Sequence, residues 1–242
     1  MLSEIQLHPT ASERVARAVE AVDIALRAAP AIDLEWLDES LADDSWALAP
    51  DALRLLAALV AELRPRHVVE FGSGVSTVVL GHAAASSCGS AISSVDHDPV
   101  YVARTAKLLQ GQEGERLVSL QLAPLVARVR ADELHPHYLL DRAALASERP
   151  ADLVLIDGPP AALGGRRGML YQSLDLAQAG TVVLLDDAER EPERDAVARW
   201  AVRLGDAVLI GRPSGYARGL AAIVVAAPKS ACLRSGGRRS AV

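Results

Sequence analysis

A short turn that contains two glycines is the part of the sequence best suited to bind a ligand. It follows an apolar run that carries an acid, His67-Val68-Val69-Glu70-Phe71, and reads Gly72-Ser73-Gly74 before the polar pair Ser76-Thr77. Glycine lets the backbone turn sharply and approach a ligand without a Cβ in the way. The free N–H groups at the start of a following helix favour an anionic or carboxylate group. The pattern therefore predicts a strand, a ligand-binding turn and a helix.

Three kinds of ligand compete for a turn of this type, and a tight structural turn without a ligand is a further interpretation. A phosphate-binding P-loop requires a lysine in its motif, and none follows here. A dinucleotide-binding turn has a third glycine where this chain has Thr77. Glu70 would repel a pyrophosphate but attract an ammonium group. S-adenosylmethionine carries an amine, a carboxylate and a sulfonium, and it suits Glu70 together with the helix start.

A second acid follows the next apolar run. Asp96 ends that run and lies 22 residues after Gly74. A carboxylate at the tip of the neighbouring strand can accept hydrogen bonds from ribose hydroxyl groups. His97 is a candidate for the position beside an adenine ring, or for a surface position. Because a ribose is common to several cofactors, Asp96 also fits NAD, and a Rossmann-type oxidoreductase stays an alternative.

Three further carboxylates follow two later apolar runs. Asp157 ends the run at residues 153–156, and Asp186 and Asp187 end the run at residues 181–185. Parallel strands place their carboxyl ends on one edge of a sheet, so we expect these acids to converge. A hard divalent cation such as Mg²⁺ would relieve their mutual repulsion. The alternative is that Asp157 shapes a turn and that Asp186 caps a helix or pairs with an arginine.

Two histidines and an arginine pair complete the set of candidates. His135 and His137 lie between the third and fourth predicted strands and are candidates for a general base near pH 7. The segment around them is expected to be a solvated loop, which is the interpretation that we favour over this role. Arg166 and Arg167 are candidates for holding an anionic substrate, or for a surface pair at the start of a helix.

The segments 70–77, 95–98 and 155–160 together resemble successive motifs of the class I S-adenosylmethionine-dependent methyltransferases. The resemblance covers about residues 49–227. It implies that the glycine turn holds the methionine end of the cofactor, that Asp96 binds the ribose and that Ala123 borders the adenine. Many relatives have an acid near Ala123 that this chain lacks. The cofactor-binding residues implied are Glu70, Gly72, Ser73, Gly74, Ser76, Thr77, Asp96, His97, Ala123 and Asp157.

The later acids resemble the metal site of the catechol-type O-methyltransferases. In that group an acid after the fourth strand and an acid–amide pair after the fifth hold a divalent metal, which lowers the pKa of the attacking hydroxyl. The resemblance implies Asp157, Asp186 and Asp187 as metal ligands, and Asp157 also as a catalytic residue. The chain departs from the group in having Asp187 at the amide position and no lysine shortly after Asp157.

Hydrophobic patterns indicate the elements that must position these residues. Thr10 and Glu13 fit a capping box at the start of a first helix, and Pro50 begins a later one. Short runs rich in Val, Ile and Leu then alternate with helical patterns, which is typical of a parallel sheet buried on both faces. Strands are predicted at residues 67–71, 91–95, 117–120, 153–156, 181–185, 207–210 and 220–226. Helices are predicted at residues 34–41, 76–85, 99–110, 138–146, 168–178 and 194–204.

These patterns predict an α/β fold. We expect a Rossmann-like open sheet of seven strands, mostly parallel with the last strand antiparallel, helices on both faces and an N-terminal helical extension. The predicted divisions are residues 1–48 for the extension, 49–228 for the methyltransferase-like domain and 229–242 for a polar, flexible tail.

Composition limits the classes of function. The chain has 242 residues, half of them apolar, 3% aromatic, with a net charge of −6, which argues against a disordered chain and a nucleic-acid binder. Two separated cysteines and no signal peptide or membrane span suit a cytoplasmic protein, and its arginine and alanine bias suits a GC-rich bacterial genome.

We predict S-adenosylmethionine-dependent methyl transfer to a small molecule, at oxygen, assisted by Mg²⁺ or another divalent cation. A homodimer is compatible with the sequence. Besides the oxidoreductase, a non-catalytic interaction domain with the same fold stays an alternative.

Overall fold

The computed structural model describes residues 9–37 and 47–227. Within these residues nine strands are present. In chain order they are β1 (His67–Phe71), β2 (Ala91–Asp96), β3 (Val118–Leu122), β4 (Leu125–Arg130), β5 (Glu133–Tyr138), β6 (Ala151–Ile156), β7 (Ala177–Asp186), β8 (Val208–Gly211) and β9 (Leu220–Val225).

Seven of these strands form one open sheet in the order β3-β2-β1-β6-β7-β9-β8. All pairs are parallel except those made by β9, which lies antiparallel between β7 and β8. The structure therefore confirms the predicted sheet, with the last strand of the chain as the antiparallel one. The strand order reverses between β1 and β6, and ligands of open α/β sheets bind in the crevice at such a point.

Helices cover both faces of the sheet. The longer helices are α1 (Ala11–Ala28), α2 (Pro50–Leu63), α3 (Val75–Ser87), α4 (Pro99–Leu109), α5 (Met169–Leu174) and α6 (Glu191–Leu204). The capping box of α1 is present, with the Thr10 hydroxyl accepting from the Glu13 N–H at 3.2 Å and the Glu13 carboxylate accepting from the Thr10 N–H at 2.7 Å. In the part of the chain that the structure describes, no helix is long and apolar enough to cross a membrane.

The first helix belongs to the same core as the sheet. Arg14 Nε donates to the carbonyl oxygen of Ala179 at 3.0 Å, and a Cβ built on Gly180 would lie 2.8 Å from the Arg14 backbone, so α1 lies directly on the beginning of β7. The second helix predicted at residues 34–41 is wrong for residues 34–37, which are not helical, and residues 38–41 lie outside the described ranges.

Side chains of the central strands alternate between two hydrophobic layers because successive residues of a strand point to opposite faces. Val68 packs in the layer covered by α1, α2 and α3. Val69 and Phe71 pack in the other layer, with the fully buried Trp200 of α6. Glu70 lies between Val69 and Phe71 in β1 and has no exposed surface. A strand that is buried on both faces thus carries a carboxyl group into the interior just before the glycine turn.

A β-hairpin replaces two predicted features between β3 and β6. Strands β4 and β5 pair antiparallel, with Val126 opposite His137, and the turn places Ala131 and Asp132 at φ angles of 50° and 65°. The expected solvated loop around the histidines is wrong, and so is the helix at residues 138–146, where only a short 3₁₀ turn forms at Arg142–Ala144. The helix predicted at residues 168–178 is shorter, since β7 already begins at Ala177.

Candidate active site

A cleft of about 350 Å³ lies at the carboxyl edge of the sheet, where the strand order reverses. Its wall is formed by the glycine turn, the ends of β2 and β6, the hairpin and the start of α6. The lining residues are Gly72, Ser73, Asp96, His97, Asp98, Tyr101, Tyr138, Asp157, Gly158, Pro160, Ala161, Leu163, Arg166, Arg190 and Glu193. The cleft therefore brings the glycine turn, Asp96 and Asp157 together, as the strand pattern predicted.

The two glycines of the turn have different surroundings. Gly72 has a φ of +102°, and a Cβ there would lie 3.0 Å from the backbone nitrogen of Gly158 and 3.1 Å from the carbonyl carbon of Asp157. Gly74 has an extended φ of 176°, and a Cβ built on it would meet no atom within 4 Å. Gly72 is thus required for close packing of the turn on the end of β6, whereas Gly74 faces open space.

The carboxylate of Glu70 lies beneath this turn. Oε1 accepts a hydrogen bond from the hydroxyl of Ser76, and Oε2 accepts from Thr77 and Ser94, each at 2.5 Å. Burial raises the pKa of Glu70 to about 7, although the three hydroxyl donors act in the opposite direction. Glu70 is not at the surface of the cleft, which differs from the expected contact with an ammonium group.

The hydroxyl groups of Ser76 and Thr77 also differ from the expectation. Both hydroxyls donate hydrogen bonds to the Glu70 carboxylate. Thr77 Oγ1 also accepts a hydrogen bond from the N–H of Gly74 at 3.0 Å. The resemblance implied both residues as cofactor-binding, whereas in the structure their hydroxyl groups are engaged by Glu70. They stabilise the turn instead.

Asp96 connects the end of β2 to the glycine turn. Its Oδ2 accepts from the N–H of Ser73 at 2.9 Å, and its Oδ1 accepts from the N–H of Asp98 at 2.8 Å. His97 Nδ1 lies 3.1 Å from the same Oδ1 atom. The side chain of Asp96 is thereby fixed at the wall of the cleft. At the end of β3, Ala123 donates its N–H to the carbonyl oxygen of Asp96 at 2.8 Å.

Tyr138 from the hairpin forms the floor of the cleft. Its ring stacks on Phe71 at a centroid distance of 5.4 Å and meets the edge of His97 at 6.2 Å. Its hydroxyl has no hydrogen-bond partner among the described residues, and burial raises its pKa well above 10. A Cβ on Gly158 would approach this oxygen to 2.5 Å. Tyr138 is one of the few aromatic residues that the sequence offers for a substrate pocket, and the structure places it at the end of β5 and not in the helix predicted at residues 138–146.

The three predicted metal ligands converge, and an arginine lies among them. Asp157, Asp186 and Asp187 have carboxylate oxygens within 4.8 Å of one another. Arg166 Nη2 lies 2.8 Å from Asp157 Oδ1 and 2.8 Å from Asp187 Oδ2, and Nη1 donates to the carbonyl oxygen of Asp186 at 2.7 Å. Arg190 adds a second guanidinium 2.8 Å from Asp187 Oδ2. These five residues form the acid–arginine cluster.

Burial governs the protonation of the acid–arginine cluster. Burial and the charge of Asp187 raise the pKa of Asp186 to about 6, and burial raises the pKa of Asp157 well above its ordinary value, with Arg166 opposing both shifts. Burial alone would lower the pKa of Arg166, but the surrounding carboxylates raise it. Arg166 is therefore a permanent cation. Asp187 has a φ of +58°, which lets consecutive acids at the end of β7 both turn inward.

Glu193 is a further carboxyl group on the cleft. It lies in the first turn of α6, is 3% exposed, and its Oε2 has no hydrogen-bond partner among the described residues. No motif in the sequence singles it out. The available signal was its position in the first turn of the helix that follows β7, because such helix starts lie at the carboxyl edge of the sheet.

His135 and His137 do not line the cleft, which corrects their prediction as general bases. Both are buried on the face of β5 opposite Tyr138, and the ring of His135 lies 5.6 Å from that of Tyr171 in α5. Burial lowers the pKa of His137 to about 4 and also lowers that of His135. The two imidazoles are core side chains.

The sequence matches a family model described as a methyltransferase domain over residues 69–188. Solved structures with the same fold include cofactor-bound Rv0187 from MTB, with 18% identity over 93% of each chain and a TM-score of 0.57. They also include the O-methyltransferase TomG from Streptomyces achromogenes in complex with SAM (17% identity, 92% of this chain and 93% of that chain, TM-score 0.55). The O-methyltransferase from Bacillus cereus in complex with SAH has 16% identity, coverage of 92% and 94%, and a TM-score of 0.54.

At these identities the structural likeness establishes the fold. Comparison with curated proteins gave no match. The matching family model and the strand order together place the chain in the class I S-adenosylmethionine-dependent methyltransferase superfamily. It is an enzyme of the methyltransferase class.

Proposed function

We propose that the protein transfers the methyl group of S-adenosylmethionine to an oxygen of a small molecule bound in the cleft. One observation carries the proposal: a single cleft joins the glycine turn and Asp96 to a carboxylate oxygen of Glu193 that has no hydrogen-bond partner within residues 9–37 and 47–227. O-methyltransferases with the same fold support oxygen as the accepting atom. A volume of about 350 Å³ suits a small molecule.

The residues present fit the cofactor. The open space at Gly74 and the N–H groups at the start of α3 suit its methionine end, and Asp96 suits its ribose. His97 lines the cleft and is assigned to the border of the adenine, whereas Ala123 is buried and does not line the cleft. When bound, S-adenosylmethionine supplies a methyl group on a sulfonium whose sulfur keeps the electron pair of the broken bond. Glu70 acts through the hydroxyls that hold the turn in place.

The protein itself contributes alignment and a proton acceptor. The walls of the cleft hold the acceptor oxygen in line with the methyl group, which is the main contribution to rate in reactions of this type. As the oxygen bonds to the methyl carbon, its proton passes to Glu193 Oε2. We assign Glu193 this role because it is buried, lines the cleft and has an oxygen without a partner among the described residues.

Thermal stabilisation by S-adenosylhomocysteine tests the cofactor. We expect saturable stabilisation, because a ligand that binds only the folded state raises its stability. A shift with NAD and none with S-adenosylhomocysteine would favour the oxidoreductase, and no shift with either would favour an interaction domain. A screen of hydroxylated small molecules would then identify the acceptor. The cytoplasmic location, the homodimer and the absence of nucleic-acid binding stay predictions.

A further inference from the structure

We propose that Arg166 replaces the divalent cation of the catechol-type enzymes, so that the protein transfers methyl groups without a metal. This inference rests on the proposed function and assigns the cation of the same site. It concerns the three acids that sequence analysis took as metal ligands, Asp157, Asp186 and Asp187.

The position of the guanidinium carries the inference. A metal held by these acids would lie between their oxygens, because each would bond to it at about 2.0–2.6 Å. Arg166 Nη2 already lies between them, 2.8 Å from Asp157 Oδ1 and 2.8 Å from Asp187 Oδ2. A cation at this point would overlap the guanidinium. The acids therefore do not fit a metal while Arg166 stays in place.

The other contacts of Arg166 fix it there. Nη2 donates to the carbonyl oxygen of Asp157 at 2.7 Å, and Nη1 donates to that of Asp186 at 2.7 Å. The first carbonyl follows β6 and the second belongs to the last residue of β7, so the side chain bridges the ends of two adjacent strands. Its side chain is only 6% exposed. Departure of Arg166 would leave the buried Asp186 and Asp187 and the partly buried Asp157 without the cation they share, which is strongly unfavourable.

The sequence departures noted above agree with this arrangement. The catechol-type group has an amide where this chain has Asp187, and an amide has no charge to pair with an arginine. Here Asp187 Oδ2 accepts from both Arg166 and Arg190. The additional carboxylate and the internal cation are thus complementary. The Nη groups of Arg166 are engaged by these acids and by two carbonyl oxygens, so the site holds no metal to chelate a catechol-like pair of hydroxyls.

Titration of the purified protein with Mn²⁺, followed by the electron paramagnetic resonance of the free ion, tests the inference. We expect no saturable binding to the native protein at millimolar Mn²⁺. Arg166→Ala removes the cation and opens space between the acids, so this variant should bind one Mn²⁺ at least about tenfold more tightly than the native protein. Its melting temperature should rise with Mn²⁺.

The neighbouring arginine provides the matched control. Arg167 pairs with Asp195 and lies outside the acid–arginine cluster, so Arg167→Ala should not gain Mn²⁺ binding. Stoichiometric Mn²⁺ binding by the native protein that Asp187→Asn abolishes would overturn the inference. This native-protein arm decides the question even if Arg166→Ala does not fold. Because Mn²⁺ binding requires neither cofactor nor turnover, failure of S-adenosylhomocysteine to bind would refute the proposed function separately.

Discussion

The hydroxyl of Thr77 donates a 2.5 Å hydrogen bond to Glu70 Oε2 while it accepts one from the N–H of Gly74. The threonine that takes the place of a third glycine thus links the buried acid to the backbone of the turn. The acid supports the ligand-binding turn from below. Because these contacts exist without a ligand, the protonation of Glu70 can be measured in the folded protein alone, through the pH dependence of its stability.

Glu70→Gln should weaken the pH dependence of stability. The pKa of Glu70 is about 7 in the folded protein against an ordinary value of 4.5, so its ionisation costs more in the folded state. The contribution of Glu70 to the free energy of unfolding is therefore fully present below pH 4.5. On the order of 3 kcal/mol of it is lost as pH rises through 7. Urea unfolding at pH 5 and pH 8, without cofactor, measures the difference.

The exposed Glu62→Gln serves as the control and should keep the native pH dependence. Asp186, whose pKa is raised to about 6, also lowers the free energy of unfolding as pH rises, and it does so in both variants. Equal pH dependence in Glu70→Gln and the native protein would show that Glu70 does not carry the effect.

Alanine at the two glycines of the turn should separate stability from binding. Gly72→Ala places a Cβ against the backbone of Gly158 at a φ of +102°, so we expect a loss of about 1–3 kcal/mol in unfolding free energy. Gly74→Ala meets no protein atom, so it should keep native stability and lose affinity for S-adenosylhomocysteine. Calorimetric denaturation and ligand titration give the two readouts. Native affinity in Gly74→Ala would place the cofactor elsewhere.

Asp96→Ala should weaken S-adenosylhomocysteine binding about 10–100-fold. The change removes the acceptor for the N–H groups of Ser73 and Asp98 and for the ribose, and hydrogen bonds to a charged group contribute about 1.5–3 kcal/mol each. Isothermal titration measures the loss. Asp141→Ala is a suitable control, because Asp141 accepts a similar backbone hydrogen bond from Ala143 but lies outside the cleft. Equal losses in both variants would contradict a specific role for Asp96.

Glu193→Gln should lower the rate of methyl transfer about 10²–10⁴-fold while S-adenosylhomocysteine affinity stays within about twofold of native. The amide keeps the size of the side chain but cannot accept the proton of the acceptor hydroxyl. Transfer of a labelled methyl group to an acceptor found by the screen gives the rate. Glu191→Gln, exposed in the same helical turn, should leave the rate unchanged. A native rate in Glu193→Gln would require another proton acceptor.

The sheet could be predicted from the sequence because its strands are short apolar runs whose ends carry the polar residues. The positions of Glu70, Asp96, Asp157 and Asp186 at the carboxyl ends follow directly from that pattern. The hairpin could not be predicted in the same way. Its strands have only six residues each and no regular alternation of buried and exposed positions, and a proline lies within β5, which disfavours a strand assignment.

The partner of each polar group was the part of the site that the sequence did not reveal. Asp157 and Asp187 were predicted to converge, but the cation between them comes from Arg166, in a segment whose path depends on the loop after β6. Glu70 was likewise predicted to meet a ligand. Its actual partners are three hydroxyl groups from two different elements, α3 and β2, and the sequence pattern does not show that these elements meet there. Pairing across elements depends on tertiary packing, which spacing along the chain does not encode.

The guanidinium between Asp157 and Asp187 is synthesised with the polypeptide, at one per molecule. It cannot be stripped by chelators, exchanged for a competing ion or diluted out when metal concentrations in the cell fall. A metal-dependent enzyme depends on the supply of its ion. A charge carried by the chain depends only on folding, so every correctly folded molecule has this part of the site complete.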